Sequence, residues 1–85
     1  MAAPHDEDGQ LILAALGAAI CDRRIQAGLT QAELAESAGI KRQHIYSIEK
    51  GLSSATVLVL VRLARGLGVT LGDLLQSVPL SGAAR

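Results

Sequence analysis

An 85-residue chain with one Tyr, no Trp and no Phe can bury only one small core, built from Leu, Ile, Val and Ala. The lone Cys21 excludes an internal disulfide and cannot by itself form a thiolate metal site, which favours an intracellular, reduced setting. Formal charge cancels to zero, but residues 1–10 hold three acids and no Lys or Arg, so residues 11–85 carry eight basic against five acidic residues, a net of +3. The longest apolar run, Leu11 to Cys21, contains Gly17 and is too short to cross a bilayer. An acidic start, His5-Asp6-Glu7-Asp8, argues against a secretory signal, so no membrane partner is expected and the cytoplasm is the predicted location.

Residues 1–8 read as a disordered acidic start, with Asp8 placed to cap a first helix that runs to about Ala27 and ends at Gly28. Leu13, Leu16, Ile20 and Ile25 form its inward stripe. Leu11 and Ile12 extend the apolar surface by a turn, which either covers the last helix or a partner subunit, or frays. Arg23 and Arg24 close the helix, where its dipole favours cations.

Thr30-Gln31-Ala32-Glu33 has the spacing of a capping box, with Leu34, Ala35 and Ala38 at helical intervals and Gly39 where the chain must turn left-handed. A second short helix follows from about Lys41 to Lys50, with Ile45 and Ile48 inward and Gly51 as its terminator. Two short helices joined by so tight a turn cross steeply and form a helix-turn-helix. The outward face of the second carries Arg42, Gln43, Tyr46 and Ser47, flanked by Lys41, His44 and Lys50. The sole aromatic residue stands on that face rather than in the core. Two cations also stand at a helix N-terminus, where the dipole disfavours them unless an anion is to sit there.

A fourth helix is predicted over Ala55 to Gly66, capped by Ser53 or Ser54, with Val57, Leu60, Leu63, Ala64 and Leu67 inward. Leu58, Val59 and Val61 do not fit that face, so the helix is apolar nearly all round and needs cover. Thr70-Leu71-Gly72-Asp73 opens a short fifth helix with Leu71, Leu74 and Leu75, ending near Gln76 or Ser77 before Pro79. Residues 9–77 thus form one helical domain and 78–85 a flexible tail, frayed over Ser81 to Arg85. The predicted class is all-α with five helices.

From Leu16-Gly17-x-x-Ile20-x-x-x-Arg24 through Gly28-Leu29-Thr30-Gln31, Ala32-Glu33-Leu34-Ala35, Gly39-Ile40 and Ile48-Glu49-Lys50-Gly51 to Leu63-Ala64-x-x-Leu67-Gly68-Val69 and Leu74-Leu75, the chain resembles the Cro/repressor (XRE-type) helix-turn-helix family. No single tetrapeptide is diagnostic; the whole ordered set is. Many members have a proline where Ala55 stands here. The resemblance implies a compact five-helix bundle, the lambda-repressor-like DNA-binding fold, and an ion pair between Arg24 and Glu49 that pins the first helix to the recognition helix.

In the helix-turn-helix docking mode the second helix enters the major groove of double-stranded DNA. Arg42 matches guanine O6 and N7, and Gln43 adenine N6 and N7, with Tyr46 and Ser47 one turn further on. Gln31, Lys41, His44 and Lys50 are candidates for the phosphate backbone. With a local charge of only +3, a monomer binds weakly, and a homodimer doubles the contacts. Leu58, Val59, Val61 and Arg62 of the fourth helix, with Leu71 and Leu74 of the fifth, are the expected dimer interface. The alternative is an antitoxin-like or adaptor module whose fourth helix binds another protein. No Gly-rich phosphate loop, paired ligand spacing or nucleophile with a base is evident, and Cys21 reads as a small buried apolar residue. Neither an enzyme nor a metal or cofactor is expected.

Overall fold

The computed structural model describes residues 6–78, and all of its regular structure is helical: α1 Glu7–Gln26, α2 Gln31–Ala38, α3 Arg42–Glu49, α4 Val57–Leu67 and α5 Leu71–Leu75. α1 supplies the frame. Its 20 residues run about 30 Å in a molecule 37 Å long, with α3 and α5 packed along it and α2 bridging α3 and α4. The core is aliphatic, with Ile20, Leu34, Ile45, Ile48, Leu63 and Leu74 fully buried and contributed by all five helices.

Local signals at the helix ends are used with some shifts. The first helix starts at Glu7 because Asp6, not Asp8, is its cap, accepting the Gly9 N–H at 2.7 Å. Glu7 and Asp8 then lie in the first turn, where the dipole favours them. The expected disorder of residues 1–8 therefore does not extend to 6–8, while 1–5 lie outside the described residues. At α2 the Thr30–Glu33 capping box forms in both directions, and Gly39 leaves the helix at φ +72°. At α4 the cap is Thr56, whose hydroxyl accepts the Val59 N–H at 3.1 Å. Ser53 and Ser54 do not cap it; the chain runs irregularly from Leu52 to Thr56, and the Ser53 hydroxyl is shut from solvent without a hydrogen-bond partner. Thr70 and Asp73 close a second capping box on α5.

Several inward and outward assignments change. Ile25 is 62 % exposed, because five residues beyond Ile20 is 140° around the helix and Arg24 takes the inward place. Val57 is 68 % exposed, since it opens α4 at the margin of the core. Val59 and Leu71, expected at a subunit interface, pack partly against the core of their own chain. Leu74 is fully buried there, which removes its side chain from any interface. Val78, assigned to the tail, is buried beneath the bundle and donates its N–H to the Leu75 carbonyl. Pro79 and the tail beyond it, Ser81 to Arg85 included, lie outside the described residues.

At Gly17, α1 and the end of α3 come into close backbone approach. A β-carbon placed on Gly17 would stand 2.3 Å from the Ile48 carbonyl oxygen and 2.6 Å from that of Glu49. Both are backbone atoms that no rotamer change can move. Gly17→Ala should therefore force the two helices apart and cost about 1–3 kcal/mol or more, read as a lowered urea midpoint. Gly66→Ala meets only the side chains of Leu34 and Ser37 at 3.1–3.2 Å and should cost clearly less.

Candidate nucleic-acid interface

α3 is eight residues long, too short to persist alone, and its position comes from one face and its two ends. Ile45 and Ile48 anchor that face in the core, 0 % and 2 % exposed. At its start, Ile40 packs partly on the core and donates its N–H to the Ala35 carbonyl, so the turn after Gly39 is tied to α2. At its end, the Glu49 carboxylate is gripped from two other elements. Arg24 of α1 donates from Nε to Oε2 at 2.7 Å and from Nη2 to Oε1 at 3.1 Å, and Gln31 at the start of α2 donates from Nε2 to Oε1 at 3.0 Å. Arg24 Nη1 also reaches the Leu29 carbonyl at 2.9 Å, and Nη2 lies 3.6 Å from Cys21 Sγ. Three helices and a connecting loop meet on one guanidinium–carboxylate pair.

The charge states of the pair follow from these contacts. Burial, to 4 % exposure of the side chain, pushes the Glu49 carboxyl up, but the hydrogen bonds from Arg24 and Gln31 outweigh it and hold the carboxyl below the usual range. The hydrogen bond to Glu49 raises the Arg24 guanidinium further above its already high value.

The opposite face of α3 meets solvent. Arg42, Gln43, Tyr46 and Lys50 are exposed and Ser47 is half-buried; 100° steps place Gln43, Tyr46, Ser47 and Lys50 on the side away from Ile45 and Ile48 and Arg42 at its edge. Lys41 stands at the N-cap without a side-chain capping bond, and no acid occupies the first turn, so α3 itself does not neutralise its positive end. Lys50 does not reach outward alone: its Nζ lies 5.8 Å from the Tyr46 ring centroid, a cation–π distance. His44 is half-buried and lines, with Ile40, Lys41, Gln43, Ser47 and Ser53, a groove of about 570 Å³ beside the helix. Gln31 departs most from its expected part, because one of its two amide hydrogens is spent on Glu49.

Two of these contacts escaped the sequence reading. The Lys50–Tyr46 pair has the i, i+4 spacing that could have revealed it. The Gln31–Glu49 bond spans 18 residues and left no local signal. Cys21 is half-buried rather than buried, with Arg24 as its polar neighbour. No cluster of three or more His, Cys, Asp or Glu suited to a metal occurs among the described residues, and no helix there is long and apolar enough to cross a membrane.

Residues 22–74 match the family model described as Helix-turn-helix, which spans α2, α3, α4 and the joining turns. The chain belongs to the helix-turn-helix family, in its XRE-type branch. It is a transcriptional regulator with a helix-turn-helix DNA-binding domain, in a family of regulators rather than of enzymes. An uncharacterized HTH-type transcriptional regulator from Methanothermobacter thermautotrophicus is 47 % identical over 49 residues, which cover 58 % of this chain and 71 % of that protein. Among solved structures, the restriction–modification controller protein C.AhdI from Aeromonas hydrophila superposes with a TM-score of 0.72 at 26 % identity, over 73 % of this chain and 94 % of its own. The clp gene regulator ClgR from Corynebacterium glutamicum gives 0.75 at 28 % identity, over 85 % of this chain and 74 % of its own.

The lowered carboxyl of Glu49 predicts that this helix-turn-helix domain loses stability in acid. The unfolded chain takes up the Glu49 proton at the ordinary carboxylate value and the folded chain only at a lower one. The stabilisation is therefore complete above the unfolded value and disappears as pH falls through the folded one. Urea midpoints should be level above roughly pH 5 and fall below it. Glu49→Gln should flatten that slope, leaving the share of Asp73, whose carboxylate the Thr70 backbone N–H also holds low. At neutral pH the same change should cost about 3–5 kcal/mol, because it strands the Arg24 charge.

Proposed function

We propose that this regulator binds a specific inverted-repeat operator in double-stranded DNA as a homodimer, in the cytoplasm. The observation that carries the reading is the outward face of α3, which sets Arg42, Gln43, Tyr46 and Ser47 together beside an uncapped, cation-flanked helix start. Arg42 and Gln43 have the paired donors and acceptors that read guanine and adenine in the major groove. Tyr46 and Ser47 follow one turn deeper, while Lys41, His44 and Lys50 face the phosphates. Gln31 keeps one amide hydrogen for a phosphate while Glu49 holds the other, so its side chain arrives already oriented.

Dimerisation compensates for the modest charge by doubling the phosphate contacts. The surface best suited to it is the outer side of α4, where Leu58 is 59 % and Val57 68 % exposed, beside Val61 and Arg62. Val59 and Leu71 contribute from its margin only. Two recognition helices related by a dyad would enter successive major grooves about 34 Å apart. The likeness to a restriction–modification controller over nearly all of that protein's length supports a controller-type activator or repressor. The same apolar face would suit a different protein, which is the competing reading of an adaptor or antitoxin-like module.

Selection from a random duplex pool at two salt concentrations tests the proposal. An enriched inverted repeat with half-sites one helical turn apart is expected; salt-sensitive background binding without enrichment would overturn it. Arg42→Ala should lose about 1–3 kcal/mol on the selected site and relax preference at one base pair. An equal loss on random DNA would reduce Arg42 to a phosphate contact. Leu58→Asp and Val61→Asp should shift the sedimenting species toward monomer and lower operator affinity with the fold intact, and an unchanged dimer in both would remove α4 from the interface.

A further inference from the structure

We infer that Lys50 is a positioning residue for Tyr46: its ammonium holds the ring in one orientation before DNA arrives. Lys50 then serves sequence reading rather than charge neutralisation. This rests on the operator reading and refines it, moving Lys50 from the phosphates to the ring. The contact itself belongs to the free chain, where the Lys50 Nζ stands over the Tyr46 ring at 5.8 Å from its centroid, within cation–π range.

Three features of α3 support this part for Lys50. Tyr46 is 46 % exposed, so the bundle holds its ring only lightly. An exposed ring samples several rotamers, and selecting one on binding costs affinity unless a neighbour has already selected it. A cation on the negative face of the ring makes that selection, at the i, i+4 spacing where helix side chains meet. The second feature is that the adjacent carboxylate is taken. Glu49 is held by Arg24 and Gln31, and Lys50 forms no ion pair among the described residues, so no anion there draws the ammonium off the ring. The third is place. Lys50 stands at the C-cap of α3, about 12 Å along the axis from Arg42. Base contacts in this docking mode come from the N-terminal part of the recognition helix, which Lys50 does not share. Helical side chains lean toward the N-terminus, and that lean carries Lys50 back over Tyr46.

Two measurements on the full chain test the assignment. In the free protein, the ring current of Tyr46 should move the Lys50 Hε resonances upfield of ordinary lysine, and the Tyr46 Hα–Hβ couplings should report one dominant rotamer. Lys50→Gln should average those couplings with the backbone amide spectrum otherwise kept. Lys50→Arg should retain them, because a guanidinium also seats on an aromatic face. On the duplex selected from the random pool, Lys50→Gln should lose roughly two- to fivefold in affinity, and Lys50→Arg should match the parent. In a Tyr46→Leu background, Lys50→Gln should cost nothing further. A loss that persists in that background, equal on random duplex and with a salt slope lower by about one, would make Lys50 a phosphate contact instead. No loss at all would leave it a cation at the negative end of a helix, and either result overturns the inference. So would Lys50 resonances at ordinary positions in the free chain. If no duplex is selected, the role in reading falls with the operator proposal, and the free-chain spectra tell that failure from failure of the contact.

Discussion

Much of this structure depends on one guanidinium–carboxylate pair. Arg24 enters from the long helix and Glu49 from the end of the recognition helix, with Gln31 added from the helix between them. Each partner is shielded from water, so neither charge is tolerable without the other. The pair acts as a positional lock: the recognition helix cannot slide along the frame helix without separating donors from acceptors set 2.7–3.1 Å apart. Gly17 supplies the complementary condition, because only a residue without a β-carbon lets the two backbones come close enough for the pair to meet.

That arrangement frees the rest of α3 from stabilising itself. Two isoleucines and contacts at both ends hold the helix, so its outer residues need not be chosen for helix stability. Cations at the wrong end of a dipole and an exposed tyrosine are local faults by the ordinary rules of helix design. They are tolerated because tertiary contacts, not intrinsic propensity, determine whether this helix forms.

The architecture was legible where a residue acts on its own neighbourhood. Thr30 with Glu33, Gly39, Thr70 with Asp73, and the inward Ile45 and Ile48 all declare themselves within one or two turns. It was less legible where competing caps were available, as with Asp6 against Asp8, or Thr56 against Ser53 and Ser54, because spacing alone does not say which hydroxyl or carboxylate the chain will aim at an open N–H. Periodicity also cannot tell an apolar residue of the core from one at its edge. Ile25 and Val57 were read as inward and face solvent, while Leu74 was read as outward and is sealed. At the candidate interface the outward face of α3 could be read from the 3.6-residue repeat. The state of Gln31 could not, because its partner is brought to it by the crossing of two helices.

The absence of Trp and Phe has a practical consequence for anyone watching this molecule in solution. Its single Tyr, Tyr46, sits on the outward face of α3 under the Lys50 ammonium, and the core holds no Tyr, Trp or Phe. Intrinsic ultraviolet emission therefore reports on a single point of the recognition helix and is nearly blind to the packing of the bundle. A change in that emission on mixing with a duplex would report on the outer face of α3, without a label or an engineered tryptophan.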